Sequence, residues 1–186
     1  MSDTIFKKIG SGAPVDMTSE EYLPVIKELH RADTALFHLN HTEPRSEKWR
    51  ELWQDLFQGK YPEGTSIMTP VQIDFPLQME FKGNCFINHH FTAMSIGGIT
   101  IEDGVQIGPN VTVATDNHDF DNRMIMRCKP VTIKKNAWIG ASVTIMPGVT
   151  IGENAVIGGG AVVTKDIPDN AIAAGVPAKV IRMVEK

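Results

Sequence analysis

Aliphatic or small side chains recur at every sixth position over much of this chain. The first register contains Ile101, Ile107, Val113, Ile133, Ile139, Ile145, Ile151, Ile157 and Val163. A second register follows it by four residues and contains Val105, Val111, Ala137, Val143, Val149, Ala155, Ala161 and Ile167. A period of six matches neither the 3.6-residue period of an α-helix nor the two-residue alternation of a hairpin. Each unit is therefore predicted to be one short strand and one corner of a prism-shaped coil, with its aliphatic side chains stacked inside.

Turn-forming residues separate the aliphatic positions. Gly, Pro and Asn stand between Ile107 and Val111, and such residues readily supply the corners of a coil. Six consecutive units from Ile133 to Val163 keep one register, which disfavours an ordinary β-sandwich with fortuitous spacing. The pattern predicts an all-β solenoid of the parallel β-helix type.

The repeat divides the chain into three predicted parts. Residues 1–60 form a helical segment, with one helix following a capping-box sequence at Thr18 and a second beginning at Ser46. Residues 61–170 form the coil, in which bulkier pairs continue the pattern upstream of Ile101. Residues 171–186 form a C-terminal tail that packs on the coil.

One long excursion interrupts the repeat. Val113 and Ile133 are 20 residues apart instead of six, so residues 114–130 are predicted to form a loop. Insertions into a strict repeat map to loops, and such loops often lie on the functional face. We therefore expect the functional site at this loop.

Composition excludes several functions. The 186-residue chain has a formal net charge of −4, which disfavours nucleic acid as the main partner. No apolar run is long enough to span a membrane, and no secretory signal is visible. Only two cysteines occur, Cys85 and Cys128, without a CxxC spacing. This usage fits a reducing compartment and predicts a cytoplasmic protein.

The loop contains one residue suited to proton transfer. Of the six histidines, only His118 lies within residues 114–130. An imidazole titrates near neutral pH, so it can accept a proton from a hydroxyl group. A zinc site of the carbonic anhydrase type would need three imidazoles, and only His89 and His90 are further candidates in the coil, without the HxxxxH spacing of that family. No metal site is predicted.

Several segments resemble the galactoside and maltose O-acetyltransferase group of hexapeptide-repeat acetyltransferases. The matching segments are residues 14–17 (PVDM), 39–44 (LNHTEP), 136–140 (NAWIG), 147–152 (PGVTIG), 163–168 (VTKDIP) and 174–177 (AGVP). The resemblance covers almost the whole chain. It implies a left-handed β-helix and a homotrimer with active sites between subunits. It also implies transfer of an acetyl group from acetyl-CoA directly to a hydroxyl acceptor, with no metal.

The resemblance also implies roles for individual residues. His118 matches the family's catalytic base. The acceptor-binding positions match Asp16, Asp74 and Asn88. The acetyl-CoA-binding positions match Ala141, Gly159, Thr164, Lys165, Lys179 and Arg182, and Trp138 is expected beside the pantetheine or at the trimer interface.

Departures from the family leave the acceptor open. Ile96 replaces an Asp of galactoside-type relatives, and His89 and His90 replace the usual Phe-Asn or Phe-Asp pair. The loop after His118 is also about four residues shorter than in those relatives. These changes predict a less polar acceptor pocket. A sugar or related polyol is expected, with an amino sugar or antibiotic acetylated on N or O as the alternative. A non-catalytic β-helix scaffold is the alternative of another class.

Overall fold

The computed structural model describes residues 2–184. Met1 of the predicted N-terminal segment and Glu185 and Lys186 of the predicted tail lie outside the described residues. The helices are α1 (Ser2–Gly10), α2 (Leu23–Asn40) and α3 (Glu47–Leu56), with short 3-10 helices at Glu20–Tyr22 and Pro76–Gln78.

Nineteen short strands complete the described chain. In order, they are β1 (Val15–Asp16), β2 (Ser66–Ile67), β3 (Val71–Ile73), β4 (Met79–Phe81), β5 (Phe86–Ile87), β6 (Phe91–Met94), β7 (Ile99–Ile101), β8 (Gln106–Ile107), β9 (Thr112–Ala114), β10 (Asp116–His118), β11 (Ile125–Cys128), β12 (Val131–Ile133), β13 (Trp138–Ile139), β14 (Thr144–Ile145), β15 (Thr150–Ile151), β16 (Val156–Ile157), β17 (Val162–Val163), β18 (Ala171–Ala174) and β19 (Lys179–Met183).

Three parallel sheets form the sides of a prism. The first face has the order β19-β18-β16-β13-β8-β5-β2, the second β17-β14-β9-β6-β3 and the third β15-β12-β7-β4, with only β19 antiparallel to its neighbour. The chain passes from first to second to third face in each turn, and the coil is a left-handed β-helix of about five turns. The predicted fold class is confirmed.

Aliphatic side chains fill the prism as the repeat predicts. Ile107, Ile139 and Ile157 lie in register on neighbouring strands of the first face, and each is at most 1 % exposed. Stacked branched side chains form continuous layers, and burying each one contributes about 1.5–3 kcal/mol relative to exposure. No single turn could bury these side chains alone, so stability depends on stacking.

Asparagine stabilises the corner between the third and first faces. Asn136, Asn154 and Asn170 all have φ between 56° and 59°, a left-handed conformation that Asn tolerates better than most residues. Their side chains form a ladder, in which the Asn136 amide donates to Asn154 and the Asn154 amide donates to Asn170 at 3.2 and 3.1 Å. The turn residues between the aliphatic positions therefore have a direct structural role.

The helical segment covers the first turn of the coil. Leu36, Trp53 and Leu56 are buried in the same core as Ile67 and Val71. Ser46 caps α3 by accepting a hydrogen bond from the Trp49 N–H at 3.1 Å, as the sequence predicts. The helix expected after Thr18 begins only at Leu23 because the Thr18 hydroxyl donates to Asp16 instead of capping a helix.

The interruption of the repeat is a β-ribbon. Strand β10 pairs antiparallel with β11, and β1 from the N-terminal segment pairs with the other edge of β11. Thr115 anchors the base of the ribbon, because its hydroxyl accepts from the Gly97 N–H and donates to the Met94 carbonyl at 2.8 and 2.7 Å. The predicted loop thus contains two paired strands and leaves the coil at the corner between the second and third faces.

The end of the coil continues past residue 170. Strand β18 pairs in parallel with β16, so residues 171–174 are a coil strand, and β19 then turns back along β18.

Within residues 2–184, no helix combines the length and apolarity needed to cross a membrane.

Candidate active site

His118 ends strand β10 and its ring is exposed. The Nδ1 atom lies 2.6 Å from the Arg123 carbonyl oxygen. A carbonyl can only accept a hydrogen bond, so Nδ1 must hold the proton and Nε2 of the neutral ring must hold the lone pair. The imidazole is therefore oriented with its basic nitrogen available to a ligand.

A compact turn supplies that carbonyl. The Asp119 carboxylate accepts from the N–H groups of Asp121 and Asn122 at 3.0 and 3.3 Å, and the Asn122 side chain accepts from the Met124 N–H at 3.0 Å. These bonds, together with those from the Met17 N–H to the Met124 carbonyl and from the Asp119 N–H to the Ile125 carbonyl, both at 2.9 Å, hold residues 119–124. The backbone of Arg123 is thereby fixed against the histidine ring.

Asp16 reaches the same ribbon through β1. Val15 and His118 both pair with Met126, and Asp16 is the next residue along β1. The Asp16 carboxylate accepts from the N–H and hydroxyl of Thr18 at 2.8 and 2.6 Å, which lowers its pKa. Asp16 is therefore an exposed anionic group on the same three-stranded ribbon as the predicted base, two strands away from it, at a position that the N-terminal segment sets.

Two carboxylates lie at the base of the ribbon. Asp74 Oδ1 accepts from the N–H groups of Phe75 and Ser95 and from the Ser95 hydroxyl at 2.7, 2.6 and 3.0 Å. Burial, with a smaller contribution from the charge of Asp116, raises the pKa of Asp74 to about 6. Burial also raises the pKa of Asp116, and one of its carboxylate oxygens is buried without a hydrogen-bond partner.

The raised pKa of Asp74 makes folding stability depend on pH. The native protein binds this proton more tightly than the unfolded chain, so stability falls as pH rises from about 4 to about 6 and then stays lower. A shift of about two pKa units corresponds to roughly 3 kcal/mol. We expect Asp74→Asn to be more stable than the unmodified protein by roughly 1–3 kcal/mol at pH 8, with little difference at pH 4.

Denaturant midpoints at both pH values measure this effect. Asp33→Asn, on the exposed side of α2, is the matched control and should change stability little at either pH. An equal effect of Asp74→Asn at pH 4 and pH 8 would contradict the proposed cause.

A groove of about 740 Å³ opens beside His118. Its walls come from the ribbon, from the turn and from the end of α1. The lining includes Gly10, Gly12, His118, Phe120, Cys128 and Pro130. It is large enough for a small molecule.

A second, smaller groove of about 360 Å³ contains other predicted site residues. Asn88, Trp138 and Ala141 all line it, where the first face ends and the corner to the second face begins. Gly159 lies next to Ala141. A Cβ atom placed on Gly159 would be 3.1 Å from the Ala141 carbonyl oxygen. The Asn88 side chain accepts from the His89 N–H at 2.8 Å, which directs the amide group.

The predicted CoA contacts are spread over two elements. Thr164 and Lys165 follow β17 at the corner where the ribbon also leaves the coil, and both are exposed. Lys179 and Arg182 lie on β19, at the end of the first face. Among the described residues none of these three cations forms an ion pair, so each could meet a phosphate.

Within one chain, the predicted site residues thus form two groups that lie at different corners of the prism. His118, Asp16, Asp74, Thr164 and Lys165 lie around the corner between the second and third faces. Asn88, Trp138, Ala141 and Gly159 lie at the first face and its corner with the second. The single chain does not bring the two groups together.

Sequence reasoning missed two features of the site and misplaced one. It did not identify Asp116 or Phe120, although both lie in the excursion that it selected. The expectation that Ile96 makes the acceptor pocket less polar is not supported by its position, because Ile96 is only 3 % exposed and packs with Ile5 and Met126. In the described part of the chain, no group of three or more His, Cys, Asp or Glu side chains is arranged to hold a metal ion.

Comparisons with known proteins bear on this geometry. The family model "Bacterial transferase hexapeptide (six repeats)" matches residues 130–165. Over 159 residues the chain is 38 % identical to the galactoside O-acetyltransferase of Escherichia coli K12, covering 83 % of this chain and 78 % of the relative.

Solved structures are similar over nearly the whole chain. A maltose O-acetyltransferase from Clostridium difficile 630 has a TM-score of 0.87 at 34 % identity and covers 97 % of each chain. A galactoside acetyltransferase in complex with coenzyme A has a TM-score of 0.84 at 34 % identity, covering 96 % of this chain and 90 % of that one.

Proposed function

The chain belongs to the hexapeptide-repeat acetyltransferases, in the group of the galactoside and maltose O-acetyltransferases, and on this premise we propose that it transfers the acetyl group of acetyl-CoA to a hydroxyl of a sugar or related polyol. The observation that carries the proposal is the bond from His118 Nδ1 to the Arg123 carbonyl, which leaves Nε2 basic. A structural role alone would not require a free imidazole nitrogen beside a groove.

His118 is proposed as the general base. Nε2 removes the proton of the acceptor hydroxyl while the oxygen attacks the thioester carbonyl of acetyl-CoA. The tetrahedral intermediate then collapses, the C–S bond breaks, and the imidazolium returns the proton to the sulfur of CoA. No covalent intermediate with the protein is needed.

The backbone N–H of Ala141 is proposed to stabilise the intermediate. Relatives often have Ser here, but a backbone donor does not depend on the side chain. Within the described residues, no backbone carbonyl accepts a hydrogen bond from the Ala141 N–H. This N–H can therefore donate to the developing oxyanion. The absent side chain at Gly159 leaves room for the thioester beside it.

Acetyl-CoA is proposed to lie along the smaller groove. The exposed Trp138 ring would flank the pantetheine, and Lys165, Lys179, Arg182 and Thr164 would contact the phosphates and nucleotide. Lys provides charge for such contacts, and Arg adds a planar pair of donors. These positions support binding of an anionic cofactor by a protein of net negative charge.

A homotrimer would complete the site. In a closed ring, one surface of each subunit meets a different surface of the next. The corner with His118 would then face the neighbour's corner with Asn88 and Ala141. This arrangement accounts for the separation of the two groups in a single chain.

Asp16, Asp74 and Asn88 are proposed to bind the acceptor. Carboxylates accept from hydroxyl groups, and an amide both donates and accepts, which suits a ligand rich in hydroxyls. The raised pKa of Asp74 allows it to be protonated near pH 6 and so to donate as well.

An amino sugar is a second candidate acceptor. Asp74 and Asp116 lie near each other, and no Lys or Arg pairs with either one among the described residues. An ammonium group would favour the charged form of these two partly buried carboxylates. Acetylation of such a ligand on N or O is therefore the alternative to a neutral polyol.

A cytoplasmic location is also proposed. Cys85 and Cys128 are both buried free thiols, which fits a reducing compartment.

An acceptor screen tests the proposed function. Purified protein is incubated with acetyl-CoA and with neutral sugars, their glycosides and the matching amino sugars, and release of the free CoA thiol is followed. We expect turnover above the hydrolysis background with at least one hydroxylated acceptor. A non-catalytic scaffold would show no turnover with any of them and no binding of acetyl-CoA by calorimetry.

A further inference from the structure

Phe120 has the largest exposed fraction of any large apolar side chain in the described structure, at 90 %. It lies two residues after His118 and lines the same groove. An aromatic side chain can bury about 150–250 Å², so this ring leaves a large apolar surface available to a ligand.

The turn that orients His118 also holds Phe120. The guanidinium of Arg123 lies 5.5 Å from the centroid of the Phe120 ring, and its Nη1 donates to the Asp119 carbonyl. The Arg123 carbonyl is the partner of His118. One residue therefore contacts both the aromatic ring and the imidazole, and the two rings lie on the same turn.

Among the described residues that line the groove, no other large apolar side chain is exposed, although polar groups are also present: Ser11, Asn117, Asp119, Arg127 and Lys129. Gly10, Gly12 and Pro130 present backbone or apolar atoms, and Cys128 is 2 % exposed with a pKa raised to about 12 by burial. Ile96, the residue that sequence reasoning selected as the apolar element, is buried beneath the ribbon. The most exposed large apolar side chain that a ligand would meet in the groove is therefore Phe120.

Resting on the proposed acetyl transfer, we propose that Phe120 determines acceptor specificity by stacking on an apolar ring of the acceptor next to the hydroxyl that is acetylated. The preferred acceptor is then a glycoside or alcohol with an aromatic or alicyclic ring, in contrast to a small, fully polar sugar. Arg123 is a positioning residue, since it acts through the ring and through His118.

Kinetics with a matched pair of acceptors test this proposal. The probes are phenyl β-D-galactoside and methyl β-D-galactoside, which share the sugar and differ in the apolar ring. We expect the intact protein to have a kcat/KM about tenfold higher for the phenyl glycoside, because aromatic stacking adds about 0.5–1.5 kcal/mol beyond area burial. Phe120→Ala should bring the ratio close to one through the KM of the phenyl glycoside, and Phe120→Tyr should retain it.

The control is Phe37→Ala, which removes a ring that is 60 % exposed on α2 and should leave both glycosides unaffected. The KM for acetyl-CoA should also stay unchanged in Phe120→Ala. An equal loss for both glycosides, or dissociation of the oligomer measured by light scattering, would show that the ring serves assembly and would overturn the proposal. Equal kcat/KM values for the two glycosides in the intact protein would overturn it as well, while leaving the acetyltransferase function in place. No turnover of the phenyl glycoside by the intact protein would also overturn this proposal, and no turnover of any acceptor in the screen would overturn the acetyltransferase function.

Discussion

Replacing His118 with Ala is expected to lower the rate of acetyl transfer by about a hundredfold or more, since general base catalysis contributes about 10²–10⁴. The ring is exposed, and its one hydrogen bond within residues 2–184 goes to the Arg123 carbonyl. Removal of the ring should therefore change kcat far more than folding. The measurement is steady-state release of CoA thiol with the best acceptor from the screen.

A control variant and the KM for acetyl-CoA test whether the loss is specific to the imidazole of His118. His30→Ala removes an exposed histidine on α2 and should retain normal turnover. The KM for acetyl-CoA in His118→Ala should stay within a few-fold of normal, because the imidazole is proposed to act on the hydroxyl proton. A His118→Ala protein with full turnover would exclude this ring from the mechanism.

A mixture of two inactive variants is expected to regain activity if the active site is shared between subunits. His118→Ala lacks the base, and Asn88→Ala lacks the amide at the other corner of the prism. In randomly mixed trimers, about a quarter of the sites pair an intact His118 with an intact Asn88 from the next subunit. Refolding or co-expressing the two variants in equal amounts should therefore restore about a quarter of normal activity.

Each variant refolded alone is the control and should stay at its low basal rate. If Asn88→Ala retains too much activity, Ala141→Leu, which fills the narrow groove, can replace it. A mixture that stays at the level of the single variants would mean that His118 and Asn88 act within one chain.

The sequence alone determined the coil and selected the segment at which the site is proposed. A six-residue period is a local property, because each unit places its aliphatic side chains inward whatever the distant parts of the chain do. The break between Val113 and Ile133 then selected the segment that contains His118. The resemblance to a known family added roles for residues that the repeat could not distinguish from ordinary surface positions.

The tertiary structure decided how those residues are arranged. The position of the proton on His118 depends on the Arg123 carbonyl, and the place of Asp16 depends on the pairing of β1 with β11, about a hundred residues away in sequence. Ile96 is buried because the N-terminal helix packs over it.

The nearness of Asp74 to Asp116 and the separation of His118 from Asn88 likewise depend on contacts between distant segments. A local pattern can specify which side of a strand a residue occupies. It contains no information on which other segment will pack against that side, and this packing sets the burial, the charge environment and the free surface of each site residue.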